Sequence, residues 1–227
     1  MKRLFVSAAL CIAALSVHPA AAEVVESNER GFVTRDTATT TATPFETWLQ
    51  LIAPNKWWSD SHSWSADAGN MYLSAQGGGC FCELLPPPKD APEGVRRGSV
   101  EHMRVLQADP PRVLRMAGGL GPLQNEPMAG VLTITLKPVG TGTRVLFEYV
   151  VSGFSRYETD VISKAVDGVM SEQLQRLVAS LGVANDAGSS DDADKPAPGD
   201  GQPSGKASTK EKSSPLDSED FLVKSSE

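Results

Sequence analysis

The sequence is poor in the residues on which several protein classes depend. Its 227 residues include three cysteines, three histidines and 6% aromatics. That cysteine count is far below the density of a disulfide-held mini-protein, and glycine and proline follow no collagen-like period. No apolar run is long enough to cross a bilayer of roughly 30 Å hydrocarbon thickness, so a polytopic membrane protein is excluded. Basic residues are outnumbered, and the net charge is −7. A nucleic-acid binder needs cationic surface to meet phosphates, so no nucleic-acid partner is expected.

What is present divides the chain into unequal parts. Residues 1–22, MKRLFVSAALCIAALSVHPAAA, read as a signal peptide. Lys2 and Arg3 form a positive start, Leu4 to Val17 a short apolar stretch, and Ala20-Ala21-Ala22 the small residues before a cut at Glu23. Cys11 lies inside the apolar stretch and follows no small residue, so it does not mark lipidation. The mature chain is expected in the periplasm or secreted, without a transmembrane span. From Asn185 the composition turns to Ser, Asp, Pro, Gly and Lys. Such a segment cannot bury enough apolar surface to offset its ordering entropy, so 185–227 is expected to be a disordered acidic tail. Phe221-Leu222-Val223 is its only apolar cluster, and no partner for the tail is specified. Loss of Lys2 and Arg3 takes the charge to −9. Ten acids against five lysines place −5 of that in the tail and leave −4 for the rest. Residues 23–30 read as a linker, and 31–184 as a single domain large enough for a hydrophobic core.

Within the domain, Thr- and Val-rich Gly31–Thr41 predicts a first strand. Thr43, Pro44 and Glu46 form a helix start with a capping box. Phe45, Trp48, Leu49 and Ile52 follow at helical spacing, and Pro54 ends the helix. Seven further strand-like runs span about His62–Ala66, Met71–Ala75, Cys80–Leu85, Gly98–Leu106, Arg112–Ala117, Val131–Lys137 and Arg144–Ser152. Turn residues separate them, and connections this short favour antiparallel neighbours. An amphipathic helix over about Arg156–Leu181 closes the domain. The expectation is an α+β fold: a curved antiparallel sheet of six to seven strands wrapped around a long C-terminal helix, with a cavity between them.

The element order, the Trp57-Trp58 pair after the proline-ended helix, SADAGNMYLSAQGGGCFCE, LGPL, and GTGTRVLFEYVVSG before the last helix carry a resemblance. Over about Gly31–Gly182 the chain is similar to the START-like superfamily, also called SRPBCC or helix-grip. Within it the chain most resembles bacterial polyketide-cyclase/dehydrase-type and heat-shock-ATPase-activator-like members. The resemblance implies a deep apolar cavity for lipids, polyketides, hormones or aromatic compounds, in a family of enzymes and plain binders. An export signal sets this chain apart from members with cytosolic roles.

Strand parity selects Leu132, Ile134, Leu136, Phe147, Tyr149 and Val151 as the helix-facing surface. Leu132, Ile134, Phe147 and Tyr149, with Val166 and Met170 of the last helix, are the expected cavity lining. The resemblance adds Trp57, Trp58 and Trp64 at the cavity mouth; adjacent residues of a regular element cannot both point inward, so one of the Trp57–Trp58 pair is expected to be exposed or at the rim. His62, Glu83 and His102 are candidate acid–base groups, since histidine titrates near neutral pH and burial raises a carboxyl toward it. On regular strands His62, Trp64 and Ala66 share one face, and Val100, His102, Arg104 and Leu106 another. Cys80 and Cys82 face one way, opposite to Phe81 and Glu83. They are open to three readings: wall packing, a disulfide or redox pair, or half of a metal site. Neither remaining histidine stands in a ligand motif with them, so no metal and no cofactor is expected.

Three functions stay open. The first is an exported binder of a hydrophobic or amphipathic small molecule. The second is a cyclase- or dehydratase-type enzyme using the His and Glu groups. The third is an envelope protein-interaction module working through the tail. A non-catalytic binder is the favoured reading.

Overall fold

A computed structural model describes residues 23–184. The expected signal peptide and tail lie outside the described residues. Eight strands form one sheet: β1 (Glu23–Asn28), β2 (Gly31–Thr40), β3 (Met71–Leu73), β4 (Cys80–Leu85), β5 (Gly98–Asp109), β6 (Val113–Ala117), β7 (Met128–Val139) and β8 (Gly142–Gly153). Their order is β1-β2-β8-β7-β6-β5-β4-β3. Every neighbouring pair is antiparallel. Helices α1 (Pro44–Leu51) and α2 (Thr159–Ala179) complete an α+β helix-grip arrangement. Five neighbouring pairs from β3 to β8, and β1 with β2, follow chain order. Only β2 with β8 joins distant segments, in register from Gly31↔Ser152 to Thr40↔Thr143. Gly31 permits that seam: it has φ +151°, and a Cβ there would meet the Val151 carbonyl oxygen at 2.0 Å. Residues 23–30 are thus not a linker, because Glu23–Asn28 adds an edge strand to β2.

The alternation expected on β7 and β8 holds. Leu132, Ile134, Leu136, Phe147, Tyr149 and Val151 are all buried. Helix α1 starts as its sequence dictates. Glu46 N donates to Thr43 Oγ1, and Glu46 Oε2 accepts from Thr43 N at 2.9 Å. Its buried face carries Thr47, Trp48 and Leu51, whereas Phe45 and Leu49 are exposed one turn apart on the other side. Helix α2 buries Ile162, Val166, Met170, Leu174, Leu177 and Val178. It packs on β2, β1 and β8, which is one end of the sheet.

Over the other end the chain from Pro54 to Asn70 takes three 3-10 turns, Pro54–Lys56, Asp60–His62 and Ala68–Asn70. The strand expected at His62–Ala66 does not form. Short polar side chains hold the local backbone instead. Ser63 Oγ donates to the Asp60 carbonyl, Asp60 Oδ1 accepts from Ala68 N, and Asp67 Oδ1 accepts from Gly69 N. This irregular backbone turns Trp57 and Trp58 inward together, at 4% and 5% exposure, with ring centroids 5.4 Å apart. Neither is at a rim.

Two β-bulges in β5 change the parity read from sequence. Against β4 the register steps from Phe81↔Met103 to Cys82↔Glu101, which leaves His102 as an extra residue. Against β6 it steps from Val105↔Met116 to Gln107↔Arg115, which leaves Leu106 extra. Each bulge inserts one residue and flips the faces beyond it. His102, Met103 and Val105 are therefore buried, while Arg104 and Leu106 are exposed. His102 and Arg104 do not share a face.

Candidate functional site

An apolar void lies between α1, the Pro54–Trp58 segment and the middle of the sheet. Leu51, Pro54, Trp57, Trp58, Leu73, Phe81, Leu114, Met116, Leu132, Ile134 and Phe147 line it. Its volume is about 10 Å³. That is room for a single water at most. Of the residues expected to line a cavity, Trp57, Trp58, Leu132, Ile134 and Phe147 do so. Four others do not. Trp64 is 50% exposed, because it sits in the polar turn segment, not on a strand. Val166 and Met170 belong to the stretch of α2 over β1, β2 and β8, away from this void. Tyr149 is buried nearer the Gly118 end of the sheet, where its hydroxyl donates to the Gly118 carbonyl at 2.8 Å. Burial pushes that hydroxyl far above the usual phenol range.

Sequence reasoning missed Leu51, Pro54, Leu73, Phe81, Leu114 and Met116. Alternation of Leu114 and Met116 on β6 was the signal available for two of them. One polar atom of the wall residues stands out: the Trp57 indole N–H is buried without a hydrogen-bond partner among the described residues. Such groups are few in native proteins, and each one costs about 1–3 kcal/mol.

Glu83 and His102 come together beside this void without lining it. The bulge in β5 aims His102 inward, next to Glu83 of β4. Glu83 is fully buried and His102 is 4% exposed. His102 Nε2 lies 3.0 Å from Glu83 Oε2. The same oxygen accepts from Trp64 N at 2.9 Å, and Glu83 Oε1 accepts from Ser65 N. On the other side Gln124 Nε2 donates to His102 Nδ1 at 3.2 Å, and Gln124 Oε1 accepts from the Trp64 indole N–H at 2.8 Å. One assignment satisfies every atom: ionised Glu83, and neutral His102 with its proton on Nε2.

The energetics agree with that assignment. Burial pushes the Glu83 carboxyl up, but hydrogen bonds from Ser65, Trp64 and His102 together outweigh it and leave the pKa lowered. Burial also lowers His102, against the opposing pull of Glu83. The network thus ties the turn segment and the Gly121–Asn125 3-10 turn to the sheet. Every polar atom in it is engaged internally.

His62 is elsewhere. Its Nδ1 accepts from Gln173 Nε2 at 2.9 Å and lies 3.5 Å from Glu172 Oε2. Gln173 is fully buried, and its Oε1 accepts from Ser59 N. This pairing fastens the turn segment to α2. The three acid–base candidates therefore do not form one constellation.

Cys80 and Cys82 are joined as a disulfide, with Cα atoms 5.4 Å apart. A sulfur ligand atom from each and a Glu101 oxygen all lie within 4.8 Å of one another. Paired sulfurs are not thiolates, and thiolate is the form that ligates zinc or a similar ion.

No protein-family model matches the chain, and no curated protein matches it. Solved structures similar to it include a protein from Rhodobacter sphaeroides at 18% identity and TM-score 0.45, covering 70% of this chain and 97% of that one. CalU16 from Micromonospora echinospora matches at 14% identity and TM-score 0.40, over 70% of this chain and 84% of that one. The Aha1 dimer from Colwellia psychrerythraea matches at 16% identity and TM-score 0.40, over 65% of this chain and 93% of that one.

Proposed function

We propose that this protein is an exported START-like binder of a small, largely apolar molecule that carries one hydrogen-bond acceptor. The buried Trp57 N–H carries the proposal. Trp57 belongs to the wall of an apolar void, and its buried indole N–H has no partner among the described residues. Ligand sites are mostly apolar with a few placed polar groups, and a carbonyl or hydroxyl oxygen in the void would satisfy this donor. Entry requires the Pro54–Asn70 segment to move off the sheet, since the resting void has room for one water at most. Glu83 and Gln173 tether that segment to the sheet and to α2, but its displacement breaks no strand pairing. Export is supported by the sequence of residues 1–22. The acid–base alternative has less support, because Glu83 and His102 meet each other but face no space.

The test is thermal unfolding of the cleaved protein against a panel of aromatic, acyl and sterol-like compounds. A compound at a hundred times its Kd adds about 2.7 kcal/mol, or roughly 5–10 °C for a domain of this size. Trp57→Phe should weaken acceptor-bearing ligands about three- to tenfold and leave pure hydrocarbons unchanged. A panel without any stabilising member would remove the proposal.

A further inference from the structure

The geometry points to a second site on the opposite face of the sheet: Cys80 and Cys82 form a redox-active pair that exchanges disulfides with thiol-bearing peptides. Phe81 and Glu83 point into the core, so the two sulfurs occupy the outer face of β4. Cys80 is partly exposed and Cys82 is buried, which makes Cys80 the sulfur open to attack. Across the strands, Cys80 is in register with Arg104, and Cys82 with Glu101 and Tyr72. Arg104 Nη2 bonds both Glu101 carboxylate oxygens, at 3.0 and 3.2 Å. A neutralised ion pair therefore flanks the sulfurs, with the Glu101 carboxylate within 4.8 Å of both.

Two observations, loop length and position, separate this pair from a structural bridge, and the backbone geometry shows how it closes. The stabilisation a disulfide gives by restricting the unfolded chain grows with the loop it closes, and a loop with one intervening residue gains least. Two residues of extended strand span about 6.6 Å, whereas these Cα atoms are 5.4 Å apart, opposite the bulge that expels His102 from the register. The backbone is held where the pair can close. The bond links two neighbours on one strand and ties no separate elements together.

The exchange is balanced. A peptide thiolate attacks Cys80 Sγ, the Cys80–Cys82 bond breaks, and Cys82 leaves as a thiolate that takes a proton from water. A second thiolate of the same peptide then attacks the peptide sulfur of the mixed disulfide and releases Cys80 as a thiolate. The peptide is oxidised to its disulfide by two electrons, and the pair is reduced to a dithiol. A small disulfide such as oxidised glutathione restores it by the same steps in reverse.

The experiment uses the full mature chain. Folded, oxidised protein is equilibrated in glutathione buffers of graded potential, and its thiols are counted by maleimide mass tagging while circular dichroism monitors the fold. Two thiols are expected to appear with the fold intact, and Cys80→Ser/Cys82→Ser is expected to melt within about 3 °C of wild type. The Cys82→Ser variant, treated with a 5-thio-2-nitrobenzoate disulfide, should trap a mixed disulfide at Cys80. Cys80→Ser should react at Cys82 at least tenfold more slowly. Release of thiols only upon unfolding, or equal reactivity of the two single variants, would overturn the inference. So would a loss of melting temperature in the double variant as large as that of a core truncation. Apolar-ligand binding is read separately and is unaffected by either outcome.

Discussion

Replacing Glu83 with glutamine tests whether the buried network is held by charge and donor count or merely by shape. The substitution preserves size but turns one acceptor oxygen into a donor. In the native protein Oε2 receives two donors, Trp64 N and His102 Nε2, and Oε1 receives Ser65 N. If the glutamine oxygen takes the Oε2 position, its amide nitrogen opposes Ser65 N. If it takes the Oε1 position, the nitrogen opposes Trp64 N. His102 can accept from that nitrogen only by moving its own proton to Nδ1. That proton then opposes Gln124 Nε2, and a flipped Gln124 would oppose the Trp64 indole N–H. No arrangement satisfies all the donors. One buried donor is orphaned, at about 1–3 kcal/mol, and the remaining bonds lose their charge assistance. The expected loss is about 3 kcal/mol, or roughly 6–12 °C in Tm for a domain of this length. Thermal and urea unfolding at pH 7 measure it. The half-exposed Arg35–Glu148 pair supplies the control, because Glu148→Gln should cost about 1 kcal/mol or less. A Glu83→Gln variant melting within about 2 °C of wild type would refute the reasoning.

Acid should weaken the fold from the histidine range downward. The folded pKa of His102 is depressed, so below about 6.5 the unfolded chain takes up a proton that the folded chain refuses, and stability is lost as pH falls. Glu83 adds a loss of the same sign lower down, as pH drops through its own depressed pKa. Unfolding free energies from pH 8 to 4 should show this slope, and His102→Gln should abolish the part above pH 5.5. Asp36 behaves oppositely. Burial pushes its carboxyl up against hydrogen bonds from Ser171 and Thr37, and its Oδ2 is buried without a partner among the described residues, so Asp36→Asn should raise Tm at pH 7; a lower Tm would show that the charge is needed. Gly130→Ala would place a Cβ 2.5 Å from Tyr149 Oη and 2.6 Å from the Gly118 carbonyl oxygen, the two ends of one hydrogen bond. A loss of about 1–3 kcal/mol is expected from urea titration. Phe147→Ala removes a wall of the void at about 3–5 kcal/mol and should create space that benzene fills; a variant that benzene fails to stabilise would count against the assigned lining.

Features that depend on local rules were legible in the order of amino acids. Period-two alternation set the buried faces of β7 and β8, and Thr43, Pro44 and Glu46 set the start of α1. Short turns between strands implied antiparallel pairing. A stripe of apolar residues at helical spacing announced α2. These follow from side-chain direction and backbone hydrogen bonding within a few residues, which the order of amino acids encodes directly.

Tertiary structure decided whatever depends on register and distant partners. Bulges at His102 and Leu106 leave no clear mark in sequence, since they arise where one strand must match two neighbours at once. They placed His102 beside Glu83 and sent Arg104 to the opposite face. The Pro54–Asn70 segment had strand-like residues, but its serines and aspartates found nearer backbone partners. Trp57 and Trp58 turned inward because that irregular chain had to cover the sheet that α2 leaves open. The few cysteines, histidines and aromatic residues were easy to single out in the chain. Which of them meet was settled by pairing across strands, where a shift of one residue changes every neighbour.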